Sequence, residues 1–140
     1  MRKDTLRSGM QIVRLVVLMV EVEQPEGISA RKLILETARH NVITAYSGNG
    51  AIKLLRRFPN VDVAVIHTEL EDSQFSKLVH EIKKICPDLP IVALSPVQDR
   101  HVKGVDHTLS SYDPQSLLHL LAERYEAATS DDEKVGPNNH

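Results

Sequence analysis

Tryptophan is absent, and three Tyr and two Phe are the only large aromatics in 140 residues. The core must therefore be packed mainly from Val, Ile, Leu and Ala. Cysteine is scarce too. Cys86 is alone, which excludes a disulfide within the chain and a cysteine zinc site, and fits a reducing cytoplasm. A surplus of charge is also lacking. The formal net charge is -2. Residues 127–140, with Asp131, Asp132, Glu133 and Lys134, carry all of it, so the rest is neutral overall. That balance gives no electrostatic footprint for nucleic acid. The basic pairs Arg56-Arg57 and Lys83-Lys84 read as solvated helix faces. No membrane role is indicated. Met1 to Val20 opens like a secretory signal, with Arg2 and Lys3 before an apolar stretch, but Arg14 interrupts it. Glu21 and Glu23 follow where small cleavage-site residues belong. Leu15 to Val20 is too short to span a bilayer.

What is present is an ordinary globular composition, 41% hydrophobic and 26% charged. The length suggests one domain, large enough to bury a core without staples. We read residues 1–12 as an N-terminal tail, 13–126 as the domain, and 127–140 as a disordered polar tail. Leu15 to Val20 is a continuous Val-rich run, the pattern of a strand buried on both faces. Gly27 and Ser29 introduce a helix from about Ala30 to Arg39. Asn41 to Tyr46 forms a second strand, and Ser47-Gly48 opens a helix that Pro59 ends. Val61 to His67 is a third strand. Ser73 is the expected N-cap of a helix whose Phe75, Leu78, Val79, Ile82, Ile85 and Cys86 share one face. Ile91 to Ser95 and His107 to Ser111 complete the strands. Asp113-Pro114 starts the last helix, with Leu117, Leu118, Leu121 and Tyr125 inward. Alternating strands and helices predict a doubly wound, three-layer α/β/α fold on a five-stranded parallel sheet.

Ligand chemistry in such sheets collects at the carboxyl ends of the strands. Those ends hold Glu21-Val22-Glu23, His67, Ser95 and Ser110-Ser111. Taken with Glu23-Gln24-Pro25, "HNVITAYSGNGAIKLL", "DVAVIHTEL", "DLPIVALSP" and "GVDHTLSSYDPQSLL", in that order, the sequence resembles the response-regulator receiver domains, the CheY-like family. The resemblance covers roughly Val13 to Tyr125. It implies a flavodoxin-like strand order 2-1-3-4-5 and a role in two-component or phosphorelay signalling.

The resemblance also implies a site, which this sequence departs from at most points. The phosphoacceptor position is His67, whose imidazole cannot form an acyl phosphate. The acidic pair aligns with Val22 and Glu23; Glu21 could compensate only by a one-residue slip of its strand, which would flip its side chain. Ser95 fits the hydroxyl position, Ser111 stands at the lysine position, and Thr108 replaces the switch aromatic. Weak or absent Mg²⁺ binding is expected, and no other cofactor. His67 is expected in a remnant pocket, hydrogen-bonded to Ser95 or Glu23. The stretch "PVQDRHVK" leaves little room for the family's fourth helix, which should be shortened or missing. The expected function is a phosphorylation-independent, non-enzymatic module that binds signalling proteins in the cytoplasm, with self-association through the last-strand and last-helix face as one option. The alternative is a small metal- or phosphohistidine-dependent phosphotransfer protein using His67, Glu23 and Ser95.

Overall fold

The computed structural model describes residues 2–5, 11–22, 30–70, 72, 74–97 and 102–126. The expected tail at 127–140, Glu23 and Ser73 lie outside them. Two short strands, β1 (Arg2–Thr5) and β2 (Gln11–Arg14), pair antiparallel with Arg2 opposite Arg14. Most of these residues fall in the stretch read as a tail, because RKDT and QIVR show no period-two alternation.

The main sheet takes β3 (Val16–Val20), β4 (Asn41–Ala45), β5 (Val63–His67), β6 (Ile91–Ser95) and β7 (His107–Ser110) in the order β4-β3-β5-β6-β7, all pairs parallel. This is the expected 2-1-3-4-5 order. Strands β3 and β6 are buried throughout and β5 is buried up to His67. Alternate residues feed two cores. Leu18, Ala64, Ile66 and Ala93 meet α2 (Gly48–Arg57) and α3 (Phe75–Ile85). Val17, Met19, Val65 and Leu94 meet Leu35 of α1 (Ala30–Thr37) and Leu117 and Leu121 of α4 (Pro114–Leu121). A π-helical turn, Ala122–Glu126, continues α4.

Local chemistry sets most boundaries. Ser47 caps α2 by accepting the Gly50 N–H at 2.9 Å. Two expected caps differ in detail. Gln74 stands before α3 without a side-chain capping bond. Asp113 precedes Pro114 as expected, but only its carbonyl is used, accepting from the Ser116 N–H and hydroxyl.

At the amino ends of the strands, side chains take over the backbone pairing. Val16 N–H donates to Asp62 Oδ2 at 2.7 Å and Ile91 N–H to Asp106 Oδ2 at 2.8 Å. Leu15 N–H donates to His40 Nδ1 at 3.1 Å. Each acceptor sits just before the neighbouring strand, so the same geometry recurs three times.

Between β6 and β7 the described residues form no helix. Lys103-Gly104 make a turn, and Val102 and Val105 pack on the core shared with α3. Gly104 has φ +93, and a Cβ there would lie 2.9 Å from Val79 Cγ1. The turn is thus pressed onto α3, and a loop rather than a helix covers this part of the sheet. Gly104→Ala should cost about 1–3 kcal/mol, from backbone strain plus overpacking, and lower the urea midpoint accordingly. An unchanged midpoint would mean that the turn is not docked.

His40 gives a second expectation. Burial lowers its pKa from the ordinary 6.5, and an imidazole that accepts at Nδ1 must be neutral or lose that bond. Below about pH 6.5 the unfolded chain takes up a proton that the folded chain resists, so stability falls as pH drops through the folded-state value. Thermal unfolding of His40→Gln should show a shallower acid decline than the native chain. Identical slopes would remove His40 as a cause.

Candidate functional site

The carboxyl ends of β3, β5, β6 and β7 gather the polar side chains. Val20 pairs with both Ala45 and Ile66, and Glu21 N–H continues the ladder to Ala45 O at 3.0 Å. Glu21 is therefore level with His67, which follows Ile66. The alternation Val17, Met19 and Val63, Val65 on the α1/α4 side, carried one step further, sets Glu21 and His67 on that same side. No slip is needed, and Glu21 rather than Val22 occupies the level of His67. The parallel register decides this, and a reading of β3 alone could not supply it. Glu21 is only 2% exposed. Val22 is half-buried.

His67 is half-buried at the end of β5. Its Nδ1 accepts the Glu69 N–H at 3.1 Å. A neutral ring with that acceptor carries its proton on Nε2. Thr68, buried next to it, donates its N–H to Leu94 O at 2.9 Å, while its Oγ1 is buried without a hydrogen-bond partner.

Ser95 is 1% exposed. Its Oγ donates to Val97 O at 2.8 Å and accepts the Val97 N–H at 3.1 Å. The hydroxyl thus closes a local turn instead of reaching His67, while Glu23, the other partner expected for His67, lies outside the described residues. Short-range acceptors compete well for serine hydroxyls, and Val97 is two residues away. Ser110 lies opposite Ser95, and Ser111 N–H donates to Ser95 O at 3.0 Å. The structure so brings Ser111 to the strand-end group. Thr108 is half-buried opposite Ala93. With Ser95, Val97, Ser110, Asp113 and Ser116 it lines a cavity of about 240 Å³. A threonine at the expected aromatic position leaves that space open.

One contributor was not foreseen as such. Asp72, in the loop after β5, accepts the Gly48 N–H at 2.8 Å and the Asn49 N–H at 3.1 Å. Its carboxylate thereby meets the positive end of the α2 dipole and ties this loop to the neighbouring unit. The contact spans 24 residues, so spacing along the chain carried no sign of it.

No described residue at these strand ends is Lys or Arg. Nor does the donor set fit Mg²⁺. A hard cation wants several oxygens, whereas the central position offers an imidazole nitrogen and the Ser95 oxygen is engaged. Among the described residues, no three His, Cys, Asp or Glu side chains group as a metal site. Asp72→Ala should lower stability by about 1–2 kcal/mol through loss of two charge-assisted bonds at a partly exposed helix start. It should also speed amide exchange at Gly48 and Asn49; protection equal to that of the native chain would contradict the tie.

No family model matches the sequence, and no curated protein does either. Solved structures do match. A response-regulator receiver domain protein from Clostridium thermocellum superposes with a TM-score of 0.71 at 18% identity, over 82% of this chain and 97% of that one. The receiver domain of the sensor histidine kinase PA1611 of Pseudomonas aeruginosa, with a magnesium ion coordinated in its active-site cleft, gives 0.68 at 20% identity, over 79% and 97%. The response regulator TrrA of Thermotoga maritima, in complex with Mg²⁺-BeF, gives 0.63 at 21%, over 78% and 97%. The chain has the fold of the CheY-like response-regulator receiver domains.

Proposed function

We propose that this chain is a receiver-like signalling module that does not accept a phosphoryl group at the usual place and acts by binding other proteins. The observation that carries the reading is His67 at the end of β5. The ring is tied by Nδ1 to the Glu69 N–H, beside a buried Glu21 and with no described Lys or Arg at the strand ends. An acyl phosphate needs a carboxylate oxygen as nucleophile, and an incoming phosphoryl group needs positive charge to meet it.

Binding is supported by the rim of the strand-end cavity. Val97, in the cavity lining, is 62% exposed, and Tyr112, between β7 and α4, is 79% exposed. Both flank β7 and α4, and a homodimer through this face is one form of the reading. On this reading the module catalyses no reaction and works in the cytoplasm, where a single half-buried Cys86 is unremarkable. The engaged hydroxyl of Ser95 gives little support to a phosphotransfer role for His67, Glu23 and Ser95.

Titration with beryllofluoride and Mg²⁺, followed by amide shifts, tests the proposal. No saturable shifts are expected at Glu21, His67, Thr68 or Ser95. Saturable shifts there would overturn it. His67→Asp treated with acetyl phosphate should also stay largely unlabelled, since the counter-charge is still missing.

A further inference from the structure

Helices α2 and α3 bury Ala51, Ile52 and Leu55, and Phe75, Leu78, Val79 and Ile82, on the same side of the sheet. What they present outward is basic. Lys53, Arg56 and Arg57 on α2 and Lys77 and Lys84 on α3 are exposed. Lys83 is half-buried, its Nζ donating to Leu89 O at 2.6 Å. Glu81 is the sole carboxylate on either helix. Six cations and one anion give the pair of helices +5, in a chain whose total is -2, so everything else sums to -7.

Cations in a last helical turn complement the helix dipole, which accounts for Arg56, Arg57, Lys83 and Lys84 locally. It does not account for Lys53 and Lys77, nor for the near-absence of acids. Among the described residues, no ion pair joins Lys53, Arg56, Lys77 or Lys84 to a carboxylate. The nearest acids on the rims are partly committed: Asp72 to the α2 start and Asp62 to the Val16 N–H. Asp88 is exposed at the lower rim.

We propose that the outer face of α2 and α3 is a docking surface for a short acidic segment of a partner protein.

The occupant follows from the size of the patch and the sign of its surroundings. Helices of 10 and 11 residues are roughly 15–17 Å long at 1.5 Å per residue. That matches a few residues of extended peptide or about three helical turns. A nucleic acid duplex carries about one charge per 1.7 Å along its whole length, and an anionic membrane is a plane. Either would extend past the patch and meet a remainder at -7, which repels it. A short acidic segment would not. Insertion into a membrane has little to use, because the apolar faces of both helices are already buried. At the lower end, the Arg57 guanidinium lies 5.6 Å from the centroid of the Phe58 ring, which is 37% exposed. An apolar residue beside the acidic run can rest against that ring. The inference rests on the reading of the chain as a binding module, but the face belongs to the helical layer and not to the strand ends, so the beryllofluoride titration can fail without touching it.

The test uses the full chain and a fluorescent peptide of consecutive glutamates flanked by leucine, titrated at low and at physiological ionic strength. Saturable binding is expected, weakening with salt, with amide shifts confined to α2, α3 and Phe58. The double variant R56E/K77E should weaken it roughly tenfold or more, and R56Q/K77Q less, while R39E/K134E, which changes the net charge equally and lies off these helices, should alter it less than about twofold. Circular dichroism checks that each variant folds. Absence of peptide binding, or equal loss in both charge-reversal variants, would overturn the proposal. So would comparable or tighter binding of a DNA duplex or of phosphatidylserine–phosphatidylcholine vesicles through the same residues, since the occupant would then be of another class.

Discussion

Strands that bury both faces leave polar side chains nowhere to sit except at the strand ends. Nearly every position of β3, β5 and β6 is enclosed, and a buried polar group without a partner would cost several kcal/mol in gross desolvation. The two ends of this sheet use the freedom differently. At the amino ends, Asp62 and Asp106 accept the first backbone N–H of β3 and of β6, and His40 accepts that of Leu15, just before β3. Those side chains are spent on holding register. At the carboxyl ends, Glu21, His67, Thr68 and Ser95 gather, and among the described residues no such pattern recurs. The parallel arrangement therefore builds one stiff end and one end free to carry chemistry.

Register does more than stabilise. Glu21 meets the level of His67 because Val20 pairs with Ile66, and Ser110 meets Ser95 because β7 runs alongside β6. Neither relation depends on distance along the chain. The crossover between β6 and β7 shows the same dependence from the other side. A parallel pair must be joined over the face of the sheet, and here the described part of the connection is a turn at Gly104 lying against Val79. Val102 and Val105, in the described part of this connection, pack against the core on that side of the sheet.

Much of this was legible in the sequence. Apolar runs at Leu15–Val20, Val61–His67 and Ile91–Ser95 marked the buried strands, and the spacing of Phe75, Leu78, Val79 and Ile82 marked α3. These signals are local, since burial on one or both faces imprints a period on consecutive residues. The order of the strands came from resemblance and not from pattern. The site was less legible because its relations are non-local. Glu21 was set aside for Val22 and Glu23 until the pairing of β3 was known. Asp72 follows Glu69 and Glu71 in the sequence with nothing to set it apart, and the helix start it meets lies 24 residues earlier. Ser95 was placed correctly at a strand end, but the direction of its hydroxyl was decided by a backbone group two residues on.

On the proposed reading the strand-end group is polar but unsuited to phosphoryl transfer, for reasons of charge rather than shape. The backbone superposes on receiver domains, one of which carries Mg²⁺-BeF and another Mg²⁺ in its cleft. Coordinating such groups requires oxygens converging on a cation, with positive charge to receive the anion. Here the central oxygen donor is replaced by an imidazole whose Nδ1 is already hydrogen-bonded, and the described strand ends offer no Lys or Arg. Six cations against one carboxylate lie on α2 and α3, in the helical layer and away from the strand ends. That local surplus of positive charge is what suits the proposed acidic partner. On the proposed reading, the charge that is missing from the described strand ends is found on the helical layer, where an acidic partner would meet it.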